Sequence, residues 1–127
     1  MRNVSAIAVL PACLAISLQS AEAATQGPGT ITCPLPGGEN LTFAAPKRLG
    51  DLPKIELDYP SKVTLFSFRD GNFLTVAVDE SDPSRVRLVI SAQRNKTTGA
   101  YDGQLVIDSG GNELQLDNGP VHCKTSP

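Results

Sequence analysis

The stretch Val63-Thr64-Leu65-Phe66-Ser67-Phe68-Arg69-Asp70-Gly71-Asn72-Phe73-Leu74-Thr75-Val76-Ala77-Val78-Asp79 decides the fold. Its two arms, Val63–Arg69 and Phe73–Asp79, are rich in the β-branched and aromatic residues that suit a pleated surface. Between them stands Asp70-Gly71, a pair favoured in tight hairpin turns because such a turn needs positive φ, which glycine adopts without a steric penalty. An antiparallel hairpin is the expected unit, and the rest of the chain reads as more of the same.

Downstream, Asp79–Ser84 is an acidic loop containing Pro83. Val86, Leu88, Ile90 and Ala92 are then expected on one face of a strand, with Arg85, Arg87, Ser91 and Gln93 mostly on the other; only Val89 breaks this period of two. Asn95–Gly99 is a polar loop. Leu105 and Ile107 alternate with Gln104 and Asp108, and Ser109-Gly110-Gly111 is expected to turn the chain. Leu114 and Leu116 alternate with Glu113, Gln115 and Asp117. Asn118-Gly119 is expected to turn it again before a last strand, Val121–Lys124. Upstream, Thr30–Cys33, Asn40–Phe43 and the alternating Ile55–Tyr59 are short β-prone runs bounded by proline and glycine. The expected fold is all-β with eight or nine short strands: a small antiparallel β-barrel of about eight strands, or a tight sandwich, either of which hides exposed strand edges.

The first 23 residues read differently. Arg2 precedes an apolar run from Val4 to Leu18, and Ala21-Glu22-Ala23 is a small-x-small cleavage site, so residues 1–23 are expected to be a signal peptide and residues 24–127 a single domain. A membrane anchor is the rival reading, but Pro11 interrupts the run and leaves it short of the about 20 residues a span needs. Leu10-Pro11-Ala12-Cys13 loosely matches a lipoprotein acylation box, which would tether the chain through Cys13. Export implies a periplasmic or secreted protein. Its two remaining cysteines, Cys33 and Cys123, are expected to form a disulfide in that oxidising compartment. They stand near opposite ends of the domain, and a loop of that length is worth about 4–5 kcal/mol on a chain-entropy argument. The first and last strands would then lie side by side, with Ile31 and Val121 sharing the cysteines' buried face.

Composition excludes several function classes. The formal net charge is −2, with no basic-aromatic stripe, so no nucleic-acid footprint is present. No cofactor motif or phosphate-binding loop occurs. The single histidine, His122, is expected to point outward next to Cys123, without the nucleophile and orienting group that catalysis needs. Asp79, Glu80 and Asp82 lack the ligand spacing of a calcium loop and read as a solvated acidic turn. Asn40-Leu41-Thr42 and Asn95-Lys96-Thr97 match the glycosylation tripeptide, which matters only in a eukaryotic secretory pathway. The expectation is a non-enzymatic protein with no metal and no cofactor.

If such a domain binds, its loops are where binding sits. Asn95–Tyr101 combines short donors, a cation and an aromatic: Lys96, Thr97, Thr98 and Tyr101. The alternative is an ordinary hydrophilic hairpin loop. Thr98-Gly99-Ala100-Tyr101, Asp102-Gly103, the strand Gln104–Asp108, Ser109-Gly110-Gly111-Asn112-Glu113-Leu114 and a final Cys123 together resemble the periplasmic and membrane-bound bacterial inhibitors of C-type lysozyme. Members of that family are small exported antiparallel β-barrels with a disulfide from an early strand to the end of the chain. Their signature is a Ser-Gly-x-x-Tyr loop, a strand and a Lys-Gly-x-x-Ala turn. The resemblance implies that the loop serine and turn lysine enter the lysozyme cleft and pair with its catalytic carboxylates. In register with Tyr101, the serine position falls on Thr97 and its glycine on Thr98; the turn lysine position is Ser109, and Lys96 is the nearby cation. The implied contact set is Lys96, Thr97, Thr98 and Ser109, with Tyr101 bracing the loop.

Two readings follow: an inhibitor whose protein partner is C-type lysozyme, or a small cell-envelope structural or ligand-binding β-domain with no lysozyme partner. They differ over one geometric point. A single strand joins the Asn95 loop to the Ser109 turn, and unless it bends the two lie at opposite ends of the sheet.

Overall fold

The computed structural model describes Pro11 and residues 29–127. The expected signal segment (Pro11 apart) and Cys13 lie outside the described residues. Among the described residues seven strands form: β1 (Thr30–Pro34), β2 (Asn40–Ala44), β3 (Ser61–Arg69), β4 (Asn72–Asp79), β5 (Val86–Arg94), β6 (Tyr101–Asp108) and β7 (Leu116–Ser126). They make one antiparallel sheet in the order β2-β1-β7-β6-β5-β4-β3, which curls into a half-barrel. Among the described residues there is no helix, and so none long and apolar enough to cross a membrane.

The deciding hairpin forms where the sequence places it. Arg69 pairs with Asn72, and Asp70 and Gly71 take φ of 54° and 73°, the double positive-φ turn that matches the twist of its strands. At the other side of the sheet β1 lies between β2 and β7, which sets Cys33 beside Cys123 with their Cα atoms 4.2 Å apart in a disulfide. Ile31, Val121 and both cysteines are fully buried, so the bridge is part of the core.

The two edge strands, β2 and β3, share no backbone ladder. Aromatic side chains span the gap instead. Phe43 of β2 meets Phe66 of β3 edge-on at 6.3 Å, and both pack on Phe73, which in turn meets Phe68 at 5.6 Å. The connection over residues 45–60 supplies further cover. Its alternation is real, with Pro53 and Ile55 buried and Leu57 half-buried between exposed Lys54, Glu56 and Asp58. Yet Ile55–Tyr59 is no strand: it packs by side chains alone, and alternation reports burial of one face, not possession of a ladder partner.

Asn118-Gly119 is also not a turn. Asn118 pairs with Val106 and Gly119 with Leu105 in mid-strand. The continuous ladder that β6 offers outweighs the local preference of the dipeptide. The reversal falls earlier, over Ser109–Gln115, where the Ser109 amide donates to the Gln115 carbonyl at 3.0 Å.

These pairings define two ends. The upper end carries residues 45–51, the Asp70-Gly71 turn, the Asn95–Ala100 loop and the C-terminus. The lower end carries the turn at 35–39, the loop at 80–85 and the reversal at 109–115.

Candidate functional site

The Asn95–Ala100 loop is built around its first residue. Asn95 Oδ1 accepts hydrogen bonds from the amides of Thr97 (2.8 Å) and Thr98 (3.2 Å), the local side-chain bonding that makes asparagine a turn residue. The Asn95 amide donates to the Ala100 carbonyl at 2.7 Å, and Asn95 Nδ2 donates to Asp102 at 3.0 Å. The framework is therefore internally tied, and Lys96, Thr97 and Thr98 are all exposed on it.

The other two sequence-selected residues are placed differently. Tyr101 is only 8 % exposed; its ring lies 4.6 Å from that of Phe68 and 6.4 Å from that of Phe73, so it belongs to the core beneath the loop. Ser109 is at the lower end. β6 stays in unbroken register with β7 from Tyr101↔Cys123 to Asp108↔Leu116, so it carries the loop and the turn apart by roughly 25 Å, at about 3.3 Å per residue. Lys96, Thr97 and Thr98 are brought together, with Tyr101 below them; Ser109 is not.

Charge is divided the same way. Lys47, Arg48, Arg69, Arg94, Lys96 and Lys124 stand at the upper end against Asp51, Asp70 and Asp102. The lower end is acidic, with Glu39, Glu56, Asp58, Glu80, Asp82, Glu113 and Asp117 against Lys62, in addition to two carboxylates bound internally to arginine.

Those two carboxylates belong to a cluster that the sequence did not reveal. Asp79, Arg87 and Asp108 are all buried. Arg87 donates through Nε and Nη2 to Asp79 Oδ2 at 2.8 and 2.6 Å, through Nη1 to the Gly110 carbonyl at 2.6 Å, and lies 4.5 Å from the Tyr59 ring centre. Arg85 donates to Asp108 Oδ2 at 2.7 Å and to the carbonyls of Gly110 and Gly111. Asp79 Oδ1 accepts from the amide and hydroxyl of Ser81 and the amide of Asp82, and Asp108 Oδ1 from the amides of Gly110 and Gln115. The Ser81 hydroxyl and Arg87 hold Asp79 well below the usual carboxylate range, and Arg85 does the same for Asp108. Asp108 in return raises the Arg85 guanidinium. Gly110 is required here, since a Cβ would lie 1.8 Å from the Glu113 carbonyl oxygen.

The acidic turn is therefore not simply solvated: Asp79 is an internal anchor that ties the 80–85 loop to the 109–115 reversal through Arg87 and Gly110. Arg87 was expected to face outward. A bulge re-aims it, since Ala77 pairs with Leu88 while Val78 pairs with Val86, leaving Arg87 without an opposite residue. Two arginines flanked in space by aspartates at strand ends leave no signal in any single window of sequence. Among the described residues no three His, Cys, Asp or Glu side chains stand together as a metal site.

Compared with protein-family models, curated proteins and solved structures, the chain matches none.

Two features remain at the upper end. His122 points outward as expected, its Nδ1 2.8 Å from Asp102. That bond, with a smaller contribution from Asn95, lowers the Asp102 carboxyl below its ordinary value. Among the described hydrogen bonds the His122 side chain meets Asp102 alone. The second feature is a cavity of about 600 Å³ between residues 45–51 and residues 65–71, with Tyr101 beneath it.

Proposed function

We propose that this chain is an exported, non-enzymatic binding protein whose contact surface is the upper end of the half-barrel, and that it inhibits C-type lysozyme by inserting the Asn95–Ala100 loop into the active-site cleft. The observation that carries this reading is the loop itself, a framework tied by Asn95 that holds Lys96, Thr97 and Thr98 exposed at the cationic end. A glycosidase cleft holds two carboxylates flanking the scissile bond. A lysine and two hydroxyls on a pre-organised loop can donate to both, and charge-assisted hydrogen bonds of this kind strengthen as the cleft is desolvated. Ser109, at the far end of β6, takes no part in this one-loop form.

The test is a lysis assay in which the disulfide-bonded protein is added to C-type lysozyme acting on a peptidoglycan suspension. Stoichiometric protection is the expected result. No protection at a large molar excess contradicts the inhibitor reading.

A second reading, a small ligand-binding β-domain of the envelope with no lysozyme partner, is favoured by two observations: the Asn95 loop and the Ser109 turn lie at opposite ends of the sheet, and the upper end carries a cavity.

A further inference from the structure

We propose that the upper cavity binds a single-chain amphiphile with a carboxylate head, a medium- to long-chain fatty acid, its head group between Lys47 and Arg69 and its tail along Leu49, Phe66 and Phe68. This deepens the ligand-binding reading, and it uses no residue of the Asn95–Ala100 loop, so lysozyme binding and fatty-acid binding stand or fall separately.

The cavity volume of about 600 Å³ lies inside the roughly 300–1,000 Å³ usual for small-ligand sites, which are walled mainly by apolar and aromatic side chains. One wall is the end of β3. Phe66 and Phe68 are half-buried there, with the Tyr101 ring closing the floor against Phe68. Apolar surface left open in a concavity is the kind a ligand covers. The other wall is the 45–51 segment, which adds the exposed Leu49.

The charges at the rim select the head group. Arg48 is engaged with Asp51 at 3.4 Å. Lys47 and Arg69 face the cavity from opposite walls, and neither is in an ion pair among the described residues. Asp70 is the one other carboxylate at the rim, and the surrounding end of the molecule is cationic. An anion is therefore favoured over a neutral or cationic head.

The experiment is isothermal calorimetry of the disulfide-bonded protein with octanoate and dodecanoate below their micellar concentrations. Dodecanol and dodecyltrimethylammonium serve as controls, and anionic phospholipid vesicles as a separate arm. Dodecanoate is expected to bind one to one, and more tightly than octanoate by at least about tenfold, since each buried methylene adds roughly two- to fourfold. Dodecanol is expected to bind more weakly and the cationic amphiphile more weakly still. Lys47→Ala with Arg69→Ala should weaken dodecanoate about tenfold, as for loss of two exposed charge contacts, and leave dodecanol unchanged. Leu49→Asn should weaken both. Equal affinity for all three head groups, binding to vesicles without binding to monomeric dodecanoate, or affinities unmoved by both variants would each overturn the proposal, as would no saturable binding.

Discussion

The two ends of the half-barrel handle charge in opposite ways. At the lower end, Arg85 and Arg87 are spent internally on Asp79, Asp108 and the carbonyls of Gly110 and Gly111, so the loops there are fastened to one another. At the upper end, Lys47, Arg69 and Lys96 take part in no ion pair among the described residues, and a cavity with open apolar surface lies beside two of them. The lesson is that polar residues near strand ends are not equivalent. A buried, fully partnered cluster specifies loop geometry, whereas unpartnered donors on a pre-organised loop are available to something else.

The comparison breaks most severely if the shared middle is removed. Replacing Cys33 and Cys123 by alanine removes the covalent tie between β1 and β7, leaving only their ladder, and should cost about 4–5 kcal/mol, read as a fall in the denaturant midpoint. Both ends should loosen together.

Next in size is the lower cluster alone. Arg87→Ala leaves Asp79 buried without its cation and should lower the thermal midpoint by more than substitution of any exposed residue at the upper end. Amide exchange should then speed up over residues 80–85 and 109–115 while the Asn95–Ala100 loop is unchanged. Equal loosening at both ends would mean that the cluster is not a local clamp.

A pH titration sharpens the same contrast. Asp79 and Asp108 have folded values depressed below the ordinary carboxylate value, so they bind protons less readily in the folded chain than in the unfolded one. Their contribution is fully present above about pH 5 and drains as pH falls below about 4, toward the depressed folded values. Stability should be flat from neutrality to about pH 5 and fall below it. Asp108→Asn should start lower and fall less steeply; an unchanged acid limb would refute the assignment.

The smallest effect on stability is expected at the upper end. Lys96→Ala with Thr97→Ala should alter unfolding by no more than about 0.5 kcal/mol, as for exposed sites without special roles. Its effect belongs to binding.

What was legible in the sequence follows from how local each signal is. Asp70-Gly71 announces its hairpin because two residues need positive φ and the flanking arms alternate. The disulfide was legible because only two cysteines lie beyond the first 23 residues, and an all-antiparallel sheet brings the first and last strands together. Arg87 was not, because a one-residue bulge against β4 reverses what strict alternation implies for its face. The Ile55 run failed as a strand for want of a neighbour, a property of the sheet's curvature rather than of the run. The Lys96 loop was found because asparagine, lysine and paired threonines are adjacent in the chain. The cavity was missed because its walls, 45–51 and 65–71, are separated by the whole connection over the core.

The claim that the upper end is the binding end is tested most directly by calorimetric titration of C-type lysozyme with three forms of the disulfide-bonded protein: unsubstituted, Lys96→Ala/Thr97→Ala, and Ser109→Ala. The account predicts one-to-one binding for the first, at least about tenfold weaker binding for the second, as charge-assisted contacts at a loop tip are lost, and unchanged binding for the third. Unchanged affinity in the loop variant, or a loss confined to Ser109→Ala, would contradict it.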